Sequence, residues 1–188
     1  MIIGITGTIG AGKGTVVEYL VSKGFKHFAV SDTFLKEEAI KRGLVPDRIV
    51  RRDIANEYRA KGPTKLMEAL YEMARTAIEA GENVVIEPQH TEPEVSFIQF
   101  MGGIELSIDA DIDTRYTRIV KRGSEKDKIP YEQFVEEQRH EMASDDPNKN
   151  NLGAAISKAD YHITNNGTPE ELYRQVDAAM ADIASKSK

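Results

Sequence analysis

The 188-residue chain contains no cysteine, which excludes disulfides, thiolate metal sites and a thiol nucleophile and suits a reducing compartment. It has no apolar run of membrane-spanning length and no basic, apolar leader, so a soluble, cytoplasmic protein without a membrane partner is expected. Positive charge is also in short supply. Twenty-five Lys and Arg against 31 Asp and Glu leave a net charge of -6, which argues against general affinity for nucleic acid while allowing a local basic site. His, Asp and Glu nowhere fall at metal-ligand spacing, so a metal is expected to arrive with a substrate. Repeats and low-complexity blocks are missing, apart from a Lys-rich last four residues that read as a frayed end.

What is present starts at once. The apolar opening Met1-Ile2-Ile3-Gly4-Ile5-Thr6 leads into Gly7-Thr8-Ile9-Gly10-Ala11-Gly12-Lys13-Gly14-Thr15 and then into a helical pattern. This is the G-x-x-x-x-G-K spacing of a Walker A loop. Glycines let consecutive N–H groups curl around phosphate oxygens, Lys13 supplies a point charge for the β and γ phosphates, and the helix aims its positive end at the same spot. Gly10, Ala11, Gly12, Lys13, Gly14 and Thr15 are the expected nucleotide contacts. Gly14 stands where most such loops carry the magnesium-binding Ser or Thr, leaving Thr15 as the candidate metal ligand. A glycine-rich turn with an incidental lysine is the competing reading, and the order strand, loop, helix counts against it.

Apolar periodicity predicts the remaining elements. After the loop a helix carries Val16, Val17, Leu20 and Val21 on one face. Strands are expected at 25–30, 83–87, 103–109 and 160–164. The helices between them carry Phe34, Leu35, Ala39 and Ile40; Val50, Ile54 and Tyr58, opened by Pro46; Leu66, Leu70, Met73 and Ala77; and a stretch over 111–122 with Arg115, Arg118 and Arg122. Thr91-Glu92-Pro93-Glu94 has the form of a capping box, and a last helix follows Thr168. Alternating strands and helices imply an α/β fold with a five-stranded parallel sheet covered on both faces. One domain over 1–188 fits this length, with a polar lid at about 123–153 around Tyr131, Phe134, Val135 and Met142.

Several charged residues are candidates beyond the loop. Glu87 ends an apolar strand, either as a magnesium-side carboxylate or as a solvated strand end. Between Lys36 and Lys61 eight basic residues face five acidic ones, a local excess that would suit a phosphate-bearing acceptor or simply a solvated helix face; Lys36 and Arg52 are the choices. Asp32, after Ser31, can accept a proton from an acceptor hydroxyl or cap the next helix. His90, three residues after Glu87, lies near the same crevice. Arg118 and Arg122, one helical turn apart, can face a triphosphate, or be surface arginines. Arg139, in the lid helix, is a weaker candidate. Asn148-Lys149-Asn150-Asn151 is a near miss to a guanine-reading motif and reads as loop.

Taken together, Gly7 to Thr15, Ser31-Asp32 with Lys36, Val84-Val85-Ile86-Glu87, Arg118, Arg122 and Ile163-Thr164-Asn165-Asn166-Gly167-Thr168-Pro169 resemble the P-loop nucleoside monophosphate kinase superfamily, adenylate-kinase-like and dephospho-CoA-kinase-like. The resemblance implies a P-loop NTPase fold with a helical acceptor-binding insert at about 31–62 and a lid. It implies ATP and Mg²⁺, with Asn165 and Gly167 beside the adenine and Ser31, Asp32, Lys36, Arg52 and His90 around the acceptor. Three departures stand out: Glu87-Pro88 replaces Asp-Gly, His90 occupies the place of an acceptor arginine, and Lys36 replaces an arginine in the second helix. The activity implied is transfer of the ATP γ-phosphoryl group to a nucleoside or deoxynucleoside monophosphate. Dephospho-CoA kinase is the alternative, and an NTP-dependent switch or assembly ATPase a further one. A monomer or small homo-oligomer is expected.

Overall fold

The computed structural model describes residues 1–123, 129–143 and 150–186, without the side chain of Arg48. Five parallel strands, β1 (Ile2–Gly7), β2 (Lys26–Ala29), β3 (Val84–Gln89), β4 (Ile104–Asp109) and β5 (Tyr161–Thr164), form one sheet in the order β2-β3-β1-β4-β5. β1 is central, with Ile3 beside Val85 and Ile104. Its six residues are all buried, as befits a strand covered on both faces.

One face packs α1 (Lys13–Ser22) and α9 (Pro169–Lys186) against Ile3, Ile5, Leu106, Ile108 and Ile163. The other face carries Ile2, Val84 and Ile86. A π-helical turn (Val30–Leu35), α2 (Lys36–Lys41), α3 (Arg48–Lys61), α4 (Lys65–Glu79) and α5 (Glu92–Phe100) close over it. The right-handed crossovers of parallel strands place these helices outside the sheet and the loops after the strands at one edge. That edge is where β1 hands over to the glycine-rich loop. α6 (Ile112–Arg122) follows β4; α7 (Tyr131–Met142) and α8 (Leu152–Lys158) precede β5.

Local chemistry explains where the elements start. Asp47 caps α3 by accepting from the Val50 N–H at 2.9 Å, so the helix begins two residues after Pro46 rather than at it. Thr91 caps α5, accepting from Glu94 N–H at 3.4 Å, but the Glu94 carboxylate reaches the N–H of His90 at 2.7 Å, one residue before the cap. Two expected core residues face water: Val21 is 44% and Ile40 57% exposed. The turn at 30–35 is π-helical, which changes the phase at which the following residues meet the core and leaves Phe34, Leu35 and Ala39 buried without Ile40. Of the expected lid, 124–128 and 144–149 lie outside the described residues, and with them Asn148 and Lys149. Asn151 caps α8 through the Ala154 N–H at 3.1 Å.

Candidate functional site

The loop after β1 wraps the lower wall of a cavity of about 520 Å³ at the carboxyl edge of the sheet. Gly7, Gly10, Gly12, Lys13, Gly14 and Thr15 line it from the loop side. Gly12 sits at φ 102°, in the left-handed region, and ends the loop as the N-cap of α1 with no side chain capping the helix. The first-turn N–H groups of α1 are therefore the natural partners of an anion. A Cβ on Gly14 would meet nothing within 4 Å, so glycine is not sterically required there.

Lys13 folds back on its own loop, donating to the carbonyls of Gly7 at 2.7 Å and Thr8 at 2.9 Å. Burial pushes its pKa down to about 8, against the fields of the Glu87, Glu141 and Asp109 carboxylates, which raise it. A cation placed this way gains most when phosphate oxygens replace the two carbonyls.

The loop is held from behind. Asn165, after β5, is buried and donates from Nδ2 to the Ala11 carbonyl at 2.7 Å. Its own carbonyl accepts from Arg118 at 2.8 Å. Asp109, at the end of β4, accepts from the Thr8 hydroxyl. Arg115 is buried and donates to Ala110 O at 2.9 Å, Ile9 O at 3.4 Å and the Gln138 side chain at 2.5 Å, joining β4, the loop and α7. The sequence places Arg115 on a helix without giving it a task. Its burial beneath the loop depends on the close approach of α6 and α7, which no local pattern encodes.

The predicted residues divide. Lys13, Gly14, Thr15, Arg118, Arg122 and His90 meet at the cavity. His90 is half-buried, and burial first, then the charges of Lys13 and Arg59, pushes its pKa down to about 3. It offers a neutral ring that can donate or accept a hydrogen bond but brings no positive charge. Glu87 is not among the lining residues: its carboxylate pairs with His27 Nε2 at 3.0 Å across β2 and β3, and acts on Lys13 only through its field. Asn165 is spent on the loop rather than turned to the cavity wall, and Gly167 is exposed nearby.

Ser31, Asp32, Lys36 and Arg52 are outside the cavity as well. Asp32 caps no helix; it pairs with Arg51 at 3.0 Å, and Arg51 also donates to the Ser31 hydroxyl at 3.2 Å. Lys36 is exposed at the start of α2. Arg52 is 64% exposed and bonds the neighbouring Asp53 at 3.1 Å. Arg139 is exposed and paired with Glu136 on its own helix. Glu141, unremarked in the sequence, lines the cavity from α7, and Glu18 lines it from α1.

Among the described residues no group of three His, Cys, Asp or Glu is placed to hold a metal. The oxygen donors around the cavity, Thr15, Glu18 and Glu141, suit a hydrated hard cation delivered with a phosphate group better than a resident ion. Among the described residues no helix is long and apolar enough to cross a membrane.

Comparison with known proteins agrees with this geometry. A family model described as an AAA domain matches residues 3–165. A UPF0200 protein of Methanothermobacter thermautotrophicus is 30% identical over 100% of this chain and 93% of its own length. A second, from Thermococcus kodakarensis, is 27% identical over 99% of this chain and 100% of its own length. Among solved structures, dephospho-CoA kinase from Campylobacter jejuni superposes with a TM-score of 0.59 over 100% of this chain and 98% of its own, at 16% identity. Shikimate kinase from Aquifex aeolicus gives 0.57 over 98% of both chains, at 18% identity. Strand order, loop and helical cover are thus those of the P-loop kinase fold, and the chain belongs to the AAA domain family and to the UPF0200 proteins.

Proposed function

We propose that this protein is an ATP-dependent phosphotransferase that moves the γ-phosphoryl group to a small, phosphate-bearing acceptor, a nucleoside monophosphate. The observation that carries the reading is the convergence on one cavity of an uncapped helix N-terminus, Lys13, Arg118, Arg122 and His90. Such a site has donors and cations for a triphosphate, which favours direct transfer by positioning and charge neutralisation. Mg²⁺ bound with the nucleotide would be held by Thr15 and, through water, by carboxylates at the cavity, and would offset charge on the β and γ phosphates.

The acceptor enters from the side of residues 31–62, where Ser31, Asp32 and Arg51 form one hydrogen-bonded group at the end of β2. Asp32 is exposed there and can take the proton of a hydroxyl acceptor such as dephospho-CoA. A monophosphate instead attacks through a phosphate oxygen already ionised at neutral pH and needs no base. Of the expected lid, α7 serves as the cover, bringing Gln138 and Glu141 toward the loop. Dephospho-CoA is the second acceptor to test, supported by the fold shared with the Campylobacter enzyme.

The deciding experiment measures ADP release with ATP and Mg²⁺ against a panel of nucleoside monophosphates, dephospho-CoA and, as a phosphate-free acceptor, shikimate. Release stimulated by a monophosphate supports the proposal. Release that is independent of every acceptor would identify an ATPase or switch instead.

A further inference from the structure

α7 carries a carboxylate into a cavity whose other features suit a polyanion. Glu141 lines the space above Lys13, Gly14 and Thr15, and its field is among those that hold the proton on Lys13. Its placement is not loose. Gln138 donates to Glu141 Oε2 at 3.1 Å, Arg115 donates to Gln138 Oε1 at 2.5 Å, and Arg115 is fastened to the loop carbonyl of Ile9 at 3.4 Å. Gln138 and Arg115 are both buried, so this chain of bonds fixes the carboxylate with respect to the loop.

A fixed anion in a phosphate cavity is unfavourable for bare ATP, whose phosphates it repels where solvent screens poorly. A divalent cation on the phosphates reverses the sign, because its bound waters turn their protons outward and a carboxylate is the acceptor they need. We infer that Glu141 is a specificity-determining residue that makes nucleotide binding depend on a divalent cation. The inference rests on the phosphotransferase reading above. Glu18, which also faces the cavity, is exposed on α1, where water screens its charge, so its contribution is smaller.

The test is equilibrium binding of ATP to the intact protein, once with Mg²⁺ and once with excess EDTA, for the wild type and for E141Q, E18Q and E137Q. The E141Q amide oxygen still accepts from Gln138, so the bond chain survives. Glu137 is an exposed carboxylate on the same helix, bonded to Gln133 at 2.8 Å, and reports on loss of a charge from α7 alone. The expected result is that E141Q tightens binding in EDTA and weakens it in Mg²⁺, lowering the ratio of the two dissociation constants by about tenfold or more, while E137Q leaves the ratio unchanged. Thermal unfolding of each unliganded variant separates a binding effect from loss of fold. If E141Q unfolds, E141D, which keeps the charge, must retain the wild-type ratio. A ratio unaltered in folded E141Q, lost in E141D or changed more by E18Q would overturn the inference alone. Failure of the wild type to bind ATP in both conditions would overturn the phosphotransferase reading, and this inference with it.

Discussion

The side-chain amide of Asn165 grips the carbonyl of Ala11 at 2.7 Å, across 154 residues of sequence. Through that bond the loop after the central strand is positioned by the segment after the edge strand. The fit is tight: a Cβ on Gly12 would meet the same Asn165 nitrogen at 2.4 Å. Asn165 also accepts from Arg118 and donates its own N–H to Asp109 O at 2.7 Å, so loop, α6 and the end of β4 share one fastening.

Asn165→Ala is therefore expected to act on the loop even if the base never touches this residue. It leaves the Ala11 carbonyl without its buried donor, a loss of about 1–3 kcal/mol. The urea midpoint should fall and ATP affinity with it. A variant with an unchanged midpoint would show that water replaces the amide without cost.

Lys13 gives a pH dependence whose sign differs between binding and stability. Its pKa in the free protein is lowered to about 8, chiefly by burial. Triphosphate needs the cation, so ATP affinity should decline as pH rises through about 8, and K13M should bind weakly with a flat profile. For folding the sign reverses: the native state holds the proton less tightly than the unfolded chain. The cost of the buried charge is fully present below about pH 8 and is relieved as pH climbs toward the ordinary lysine value of 10.5. Parallel ATP titrations and urea unfolding series, at pH values on either side of 8, check both signs.

The parts of this architecture that were legible in sequence are those written locally. The order strand, glycine loop, helix is contained in the first two dozen residues, and β1 and β3 announce themselves as apolar runs. Pairings between distant segments are not written that way. Glu87 reads as a carboxylate at a strand end, but its partner His27 is known only from the register that sets Ala29 beside Glu87. Asn165 reads as a base contact by resemblance, because nothing near it in sequence reveals the Ala11 carbonyl. Glu141 hides among the other acids of a polar stretch, and its approach to the loop comes from the Arg115–Gln138 contact.

Glu105 is the clearest case of a residue whose neighbours were invisible. It lies in the middle of β4 opposite Gly4, fully buried, with neither carboxylate oxygen bonded among the described residues. The missing side chain of Gly4 makes the room: a Cβ there would lie 1.8 Å from Glu105 Oε1. Burial, then the charges of Asp160 and Glu94, raises the pKa of Glu105 well above 4.5. A raised folded-state value means that the stability tied to this proton is fully present below the unfolded value, about 4.3. It is lost as pH climbs toward the folded value. Glu105→Gln, which cannot ionise, should raise the unfolding midpoint at pH 8 relative to wild type and narrow that gain at pH 5. A gain independent of pH would point to packing rather than ionisation.

Arg51 and Arg52 are adjacent in sequence and differ in what they touch. Helical phase turns Arg51 back toward β2, where it donates to Ser31 and Asp32, and it is 28% exposed. Arg52 points outward, 64% exposed, and pairs with its neighbour Asp53. Two long side chains one residue apart on a basic helix cannot be ranked from sequence, and Arg52 was the expected acceptor contact. If the acceptor enters past Ser31 and Asp32, as proposed, and its phosphate takes up Arg51, Arg51→Ala removes a charge-assisted donor from that place. A contact of about 1.5–3 kcal/mol corresponds to roughly a tenfold to hundredfold rise in acceptor KM. Arg52→Ala should change KM by less than about threefold, the scale of an exposed ion pair. Because neither residue lines the cavity, ATP affinity measured without acceptor should stay the same in both variants. Arg51→Lys adds a control, since its ammonium restores the charge but not the planar fork that grips a phosphate with two parallel bonds; its KM should fall between wild type and Arg51→Ala. Steady-state kinetics with the best acceptor from the ADP-release panel decides the matter. A large KM effect from Arg52→Ala with none from Arg51→Ala would move the acceptor to the outer face of α3 and away from Asp32.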